Sequence, residues 1–227
     1  MAYQENYTKH RMMLQLFDLR PKTYQNWVAP NATLAGEVIL QKYATIWYNT
    51  VIRGDINAVK IGFFTSIGDN CVIHTAASLP TGLPAEVNIG DNVTIQNRCT
   101  LYSCFIDNDA WIGAGSTICE GARVEKAAMI APGSVVPPGR LIPAKQLWAG
   151  NPVEYVKDLD IGEAWANYSY SYVNVSLGDM HLASFAPWGN AYLDMPSAFE
   201  DVNVKEEDCK SIYVAKDMLK GSVKYYC

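Results

Sequence analysis

Aliphatic residues recur every six positions through the middle of this chain. Leu34, Leu40, Ile46 and Ile52 open the series, and a nine-residue step carrying Arg53-Gly54-Asp55 leads to Ile61, Ile67 and Ile73. After a breaker-rich stretch with Pro80, Gly82 and Pro84, the period restarts at Ile89, Ile95 and Leu101. One five-residue step to Ile106 is followed by Ile112, Ile118, Val124, Ile130, Val136 and Ile142. A period of six is neither the 3.6 of an amphipathic helix nor the two of a long strand. It fits very short strands joined by tight turns, each presenting one aliphatic side chain inward. Gly62, Gly68, Gly90, Gly113 and Gly133, close to those inward positions, suit corners where backbones pass closely. The pattern therefore predicts an all-β solenoid, a left-handed parallel β-helix of hexapeptide repeats.

Outside residues 31–152 the character changes. Residues 1–30 read as an N-terminal arm with a short helix around Met12 to Leu19, ended by Pro21. Residues 153–178 read as a C-terminal flanking α-helix: Asp160 and Glu163 make a capping pair, and Ile161, Trp165, Tyr168, Tyr172 and Val175 follow at helical spacing up to Gly178. Residues 179–227 read as an extension, with Trp188, Tyr192 and Phe199 scattered among turn residues and a last helix near Glu206–Leu219. Such extended terminal arms suit docking onto another surface.

Composition narrows the function. The 227 residues are 49% hydrophobic and carry a net charge of −5, with no basic stripe, which argues against nucleic acid as a partner. No apolar run reaches the length of a transmembrane span. The six cysteines, at 71, 99, 104, 119, 209 and 227, form no CxxC. His10, His74 and His181 are the only histidines, so no cluster of imidazoles can come from one chain by local spacing. Residues 1–30 lack the apolar core of a signal peptide, and Glu5 and Asp18 are out of place in a transit peptide.

Stacking the coils brings particular side chains together. With residues 74–88 as an excursion at one corner, His74 and Tyr102 lie one above the other, on strands roughly 4.8 Å apart. Cys71 likewise stacks near Cys99, where a disulfide and a pair of buried thiols both fit.

The order of motifs resembles the γ-class carbonic anhydrases. It is carried by Ile46-Trp47, Val51-Ile52-Arg53-Gly54-Asp55, Val72-Ile73-His74, Val93-Thr94-Ile95, Ala131-Pro132-Gly133-Ser134 and Leu147-Trp148-Ala149-Gly150-Asn151-Pro152. The resemblance implies a trimer in which each metal takes two histidines from one chain and one from its neighbour. His74 matches the first ligand. The second position is Asn97 and the third is Tyr102, while Ser66 and Gly68 stand where the family's pocket has asparagine and glutamine. Arg53, Asp55 and Asp69 match positions that join subunits, and are kept.

Catalytic zinc needs three protein ligands and an open position for water. Neutral asparagine is a poor ligand, and a tyrosine would have to lose a proton of pKa about 10. The resemblance therefore implies a vestigial site with no resident cofactor. The chain resembles the metal-ligand-deficient, carbonic-anhydrase-like subunits of the mitochondrial NADH:ubiquinone oxidoreductase (respiratory complex I). A non-catalytic structural role follows, in a heterotrimer with γ-carbonic anhydrase paralogues beside other complex I subunits, on the matrix side of the inner membrane. Two rivals are a residual carbonic anhydrase with altered ligands and a hexapeptide-repeat acyltransferase using His74 as general base.

Overall fold

The computed structural model describes residues 12–24, 26–80, 82, 84–160, 162, 171, 173–178 and 180–181, and two short strands at Ile212–Tyr213 and Tyr225–Tyr226. Its body is a parallel β-helix whose strands are mostly two or three residues long. Three columns of inward side chains run through it in register. Leu34, Ile52, Ile73, Leu101, Ile118 and Val136 make face one. Ile46, Ile67, Ile95, Ile112, Ile130 and Trp148 make face two. Leu40, Ile61, Ile89, Ile106, Val124 and Ile142 make face three. No position of the aliphatic series is more than 3% exposed.

The period of six has a local cause. At most corners the third residue after an inward one takes a left-handed conformation, as at Asn49, Asn70 and Asn92 (φ 57°, 56° and 56°). Such a residue turns the chain sharply, so one strand and one corner consume six residues. Most of the glycines noted above serve a different purpose. Gly62, Gly68 and Gly90 have ordinary φ, but a Cβ on any of them would come within 2.4 Å of an Asp or Asn oxygen in the next coil.

The irregular steps all fall at one corner, between faces one and three. The nine-residue step is part of a single long strand, Val51–Ile61, which runs round that corner and joins both faces into one sheet. The excursion between His74 and Val87 and the shortened turn after Tyr102 occupy the same edge.

Both ends of the solenoid differ from expectation. In place of a helix around Met12 to Leu19, Met13–Leu14 is a strand paired with Leu34 and Ala35, and Leu16 bridges Leu19 across a tight turn. The first coil presents unpaired backbone groups, which a strand can satisfy and a helix cannot. Trp27–Val28, within the segment read as an arm, opens face two. At the other end Glu154–Asp158, within the segment read as the flanking helix, is an antiparallel strand on Gln146–Ala149 for the same reason. Helical residues follow at 162, 171, 173–178 and 180–181. Gly178 does not end the helix. It lies against the sheet, with a Cβ position 3.2 Å from Thr45 Cγ2 and 3.4 Å from Trp27. Ile212–Tyr213 pairs with Tyr225–Tyr226 as a strand, so the last helix is not continuous over 206–219. Ile161, Glu163, Trp165, Tyr168, Tyr172, Trp188, Tyr192, Phe199, Cys209, Cys227 and His10 lie outside the described residues.

Candidate functional site

Face one ends at the irregular corner with three stacked side chains. Register pairs Arg53 with His74 and His74 with Tyr102. The imidazole and phenol rings are stacked, centroids 4.3 Å apart and planes 29° from parallel. Tyr102 also packs on Ala76, Leu79 and Ala85 of the excursion, which form a small buried cluster. Ser103 closes the neck of that loop. Its hydroxyl donates to the Ala85 carbonyl (2.7 Å) and accepts from the Ala76 N–H (2.6 Å). Asn57 adds a bond from its side-chain amide to the Ala76 carbonyl (2.6 Å).

Arg53 donates from its guanidinium to the Asp55 carboxylate. That hydrogen bond holds Asp55 below the usual carboxylate range. Burial, and then the Arg53 charge, push the His74 pKa down, so at neutral pH its ring is uncharged. His74 therefore binds fewer protons folded than unfolded as pH falls below about 6.5. Stability conferred by keeping it neutral is full above that pH and declines as the unfolded chain protonates. Replacing His74 by Gln should flatten the fall in melting temperature between pH 7 and pH 5.5; an unchanged slope would assign the fall to other groups.

Asn97 lies at the opposite end of face one, in the corner from face two, so a single chain does not bring it to His74. Its Oδ1 accepts from the Asp69 N–H (3.0 Å), and the Asp69 carboxylate accepts from the Tyr48 N–H (3.0 Å). The other carboxylate oxygen of Asp69 has no partner among the described residues. Beside this ladder, between face two and the helix, is a pocket of about 290 Å³ lined by Trp47, Ser66, Gly68, Asp69, Gln96 and Asn97. The helix closes over it through the Thr94–Ser171 hydroxyl contact (2.8 Å) and the Tyr48 hydroxyl to His181 Nδ1 bond (2.9 Å). Trp27, Trp47 and Tyr48 surround the His181 ring.

Cys71 and Cys99 are buried free thiols, which resolves the two arrangements their stacking allowed. Each donates to a carbonyl one coil further on, Gln96 (3.1 Å) and Gly113 (3.2 Å). The hydrogen bond with Cys99 and burial push the Cys71 thiol up, and burial pushes Cys104 up to about 12. Cys71 and Cys104 are core groups, not nucleophiles.

A catalytic zinc does not fit this donor set. The available groups are one neutral imidazole, a phenol stacked on it, and an amide oxygen already accepting a backbone N–H. Among the described residues no three His, Cys, Asp or Glu side chains converge. Sequence reasoning missed Ser103, Tyr48 and His181. The first two sit between inward positions, where the period imposes no residue type, and His181 lies beyond the glycine read as the helix end.

Comparison with known proteins gives the following relatives. The chain is 32% identical over 221 residues to "Gamma carbonic anhydrase 2, mitochondrial" of Arabidopsis thaliana, covering 94% of this chain and 73% of that protein. It is 36% identical over 191 residues to "Gamma carbonic anhydrase-like 2, mitochondrial" of the same plant, covering 84% and 75%. Among solved structures, a hexapeptide transferase family protein from Anaplasma phagocytophilum superposes with a TM-score of 0.70 at 30% identity, over 75% of this chain and 98% of that one. No family model matches.

Proposed function

Because the chain belongs to the γ-carbonic anhydrase family, we propose that it is a non-catalytic member serving as a structural subunit of a mitochondrial heterotrimer. Its neighbours in that trimer are metal-competent paralogues. The trimer sits on the matrix side of the membrane arm of NADH:ubiquinone oxidoreductase and supports that complex's assembly. The mitochondrial assignment rests on the names of the relatives, and the complex on the sequence resemblance.

The observation that carries this reading is the division of labour among matched positions. Those of the metal site are occupied by a His74–Tyr102 stack and by an Asn97 committed to its own corner. Those read as joining subunits are intact: Arg53 is paired with Asp55, and Asp69 keeps one carboxylate oxygen uncommitted. The outward column at the start of the face-one strands (Val51, Val72, Thr100, Thr117, Val135) carries no charge, and Arg53 at their far end is paired with Asp55. Such a face packs on a neighbour without burying an unpaired ion.

Native mass spectrometry of the gently purified assembly tests the proposal. The expected species is a heterotrimer holding this chain with one zinc ion at most. A homotrimer of this chain carrying three zinc ions overturns it.

A further inference from the structure

The misfit to zinc is more than missing ligands. Asn97 repeats a device found elsewhere in the solenoid. Asp91 Oδ1 accepts from the Phe63 N–H (2.8 Å) and Asn108 Oδ1 accepts from the Asp91 N–H (2.8 Å). Each caps a corner one coil away, beneath Gly62 and Gly90. Asn97 does the same beneath Gly68, for the Asp69 N–H. At this corner the fit depends on the glycine: a Cβ at 68 would lie 2.4 Å from Asn97 Oδ1 and 2.9 Å from the Asn97 backbone nitrogen. A side chain at 68 would have to push residue 97 out of this position.

Tyr102 is tied in equally. One face of its ring lies on His74, and the ring packs against the Ala76, Leu79 and Ala85 cluster under the excursion loop. The next residue, Ser103, pins both ends of that loop. An imidazole at 102 is smaller and polar, and it would leave that apolar cluster partly uncovered.

We infer that Asn97 and Tyr102 are fold-bearing replacements, each locked to its surroundings, so that histidines at these two positions no longer rebuild a metal site. The inference rests on family membership and on the matching of positions 74, 97 and 102. The site spans two subunits, so zinc is read on the gel-filtration peak of trimer mass, while the single variants test the inference whatever the chain's partners are.

The test uses the full chain produced alone, as wild type, Asn97→His, Tyr102→His, the double variant, and Tyr102→Phe as a control that keeps the ring. Zinc per chain is measured after incubation with zinc and gel filtration. Melting temperature and amide exchange at Ala76 are measured alongside. Both single histidine variants should melt about 3–8 °C below wild type. Tyr102→His should speed exchange at Ala76 by tenfold or more, and Tyr102→Phe should match wild type in both. The double variant should retain less than about a tenth of a zinc per chain. Uptake approaching one zinc per chain by the double variant overturns the inference, as do single histidine variants that melt with wild type. If the double variant does not fold, the single variants decide.

Discussion

Gly54→Ala should leave little or no folded protein. A Cβ at this position would stand 2.3 Å from the Glu37 carbonyl oxygen and 2.7 Å from its carbon. Both atoms are backbone, so no side chain can swing aside. The partner strand is equally constrained. Gly36, in register with Gly54, has φ +79° and would place its own Cβ 2.3 Å from the Gly54 oxygen. Two glycines cross where the first two coils turn the irregular corner, and the register of Thr33–Leu40 on Val51–Ile61 depends on both. Relieving the overlap means separating those strands, a cost above about 4 kcal/mol, at the exceptional end for one substitution. Soluble yield and near-ultraviolet circular dichroism report the result. Gly162→Ala, where a Cβ meets nothing within 4 Å, should behave as wild type. A Gly54→Ala protein that melts within a few degrees of wild type would show that the crossing is looser than described.

Ile112→Ala should cut deeply into the stability of the hydrophobic core. Ile112 is fully buried, between Ile95 and Ile130 on face two. Each coil has one such residue per face, so its neighbours cannot collapse inward without shifting coils above and below. The deleted atoms leave a cavity lined by aliphatic groups, costing about 2–5 kcal/mol. For a chain of this size that corresponds to a melting temperature roughly 5–15 °C lower. Leu141→Thr, on the outward side of face three with 49% exposure, should stay within about 0.5 kcal/mol. Denaturant unfolding of both variants makes the comparison. Equal losses would contradict the division of each strand into an inward and an outward side.

The core was legible because its rule is written at every sixth residue. Ile73, Leu101 and Ile118 could be assigned to one column by counting alone, and the register agrees. Counting also stacked His74 beneath Tyr102. What counting could not supply was anything decided by an end or by a rotamer. Met13–Leu14 has helix-compatible residues, but its conformation is fixed by the unpaired edge of Thr33–Leu40, a tertiary demand invisible in the segment itself. Gly178 looked like a helix stop because glycine commonly is one. Here it admits Thr45 and Trp27 to the helix surface. The folding of Asn97 onto its own corner depends on the absence of a Cβ at 68 one coil away. No spacing between two residues in sequence expresses that dependence.

The confinement of every irregular step to a single edge bears on how this chain tolerates change. Between faces two and one, and between faces three and two, each turn is closed in six residues and stacked directly on the next, so an added residue would rotate all later inward positions out of the core. On the remaining edge the chain already detours without disturbing the pairing of Ile73 with Leu101 or of Ile61 with Ile89. Its length there is uncoupled from the count that builds the core. An epitope or reporter sequence inserted near Gly82, whose surroundings are open, has a site that the solenoid does not read.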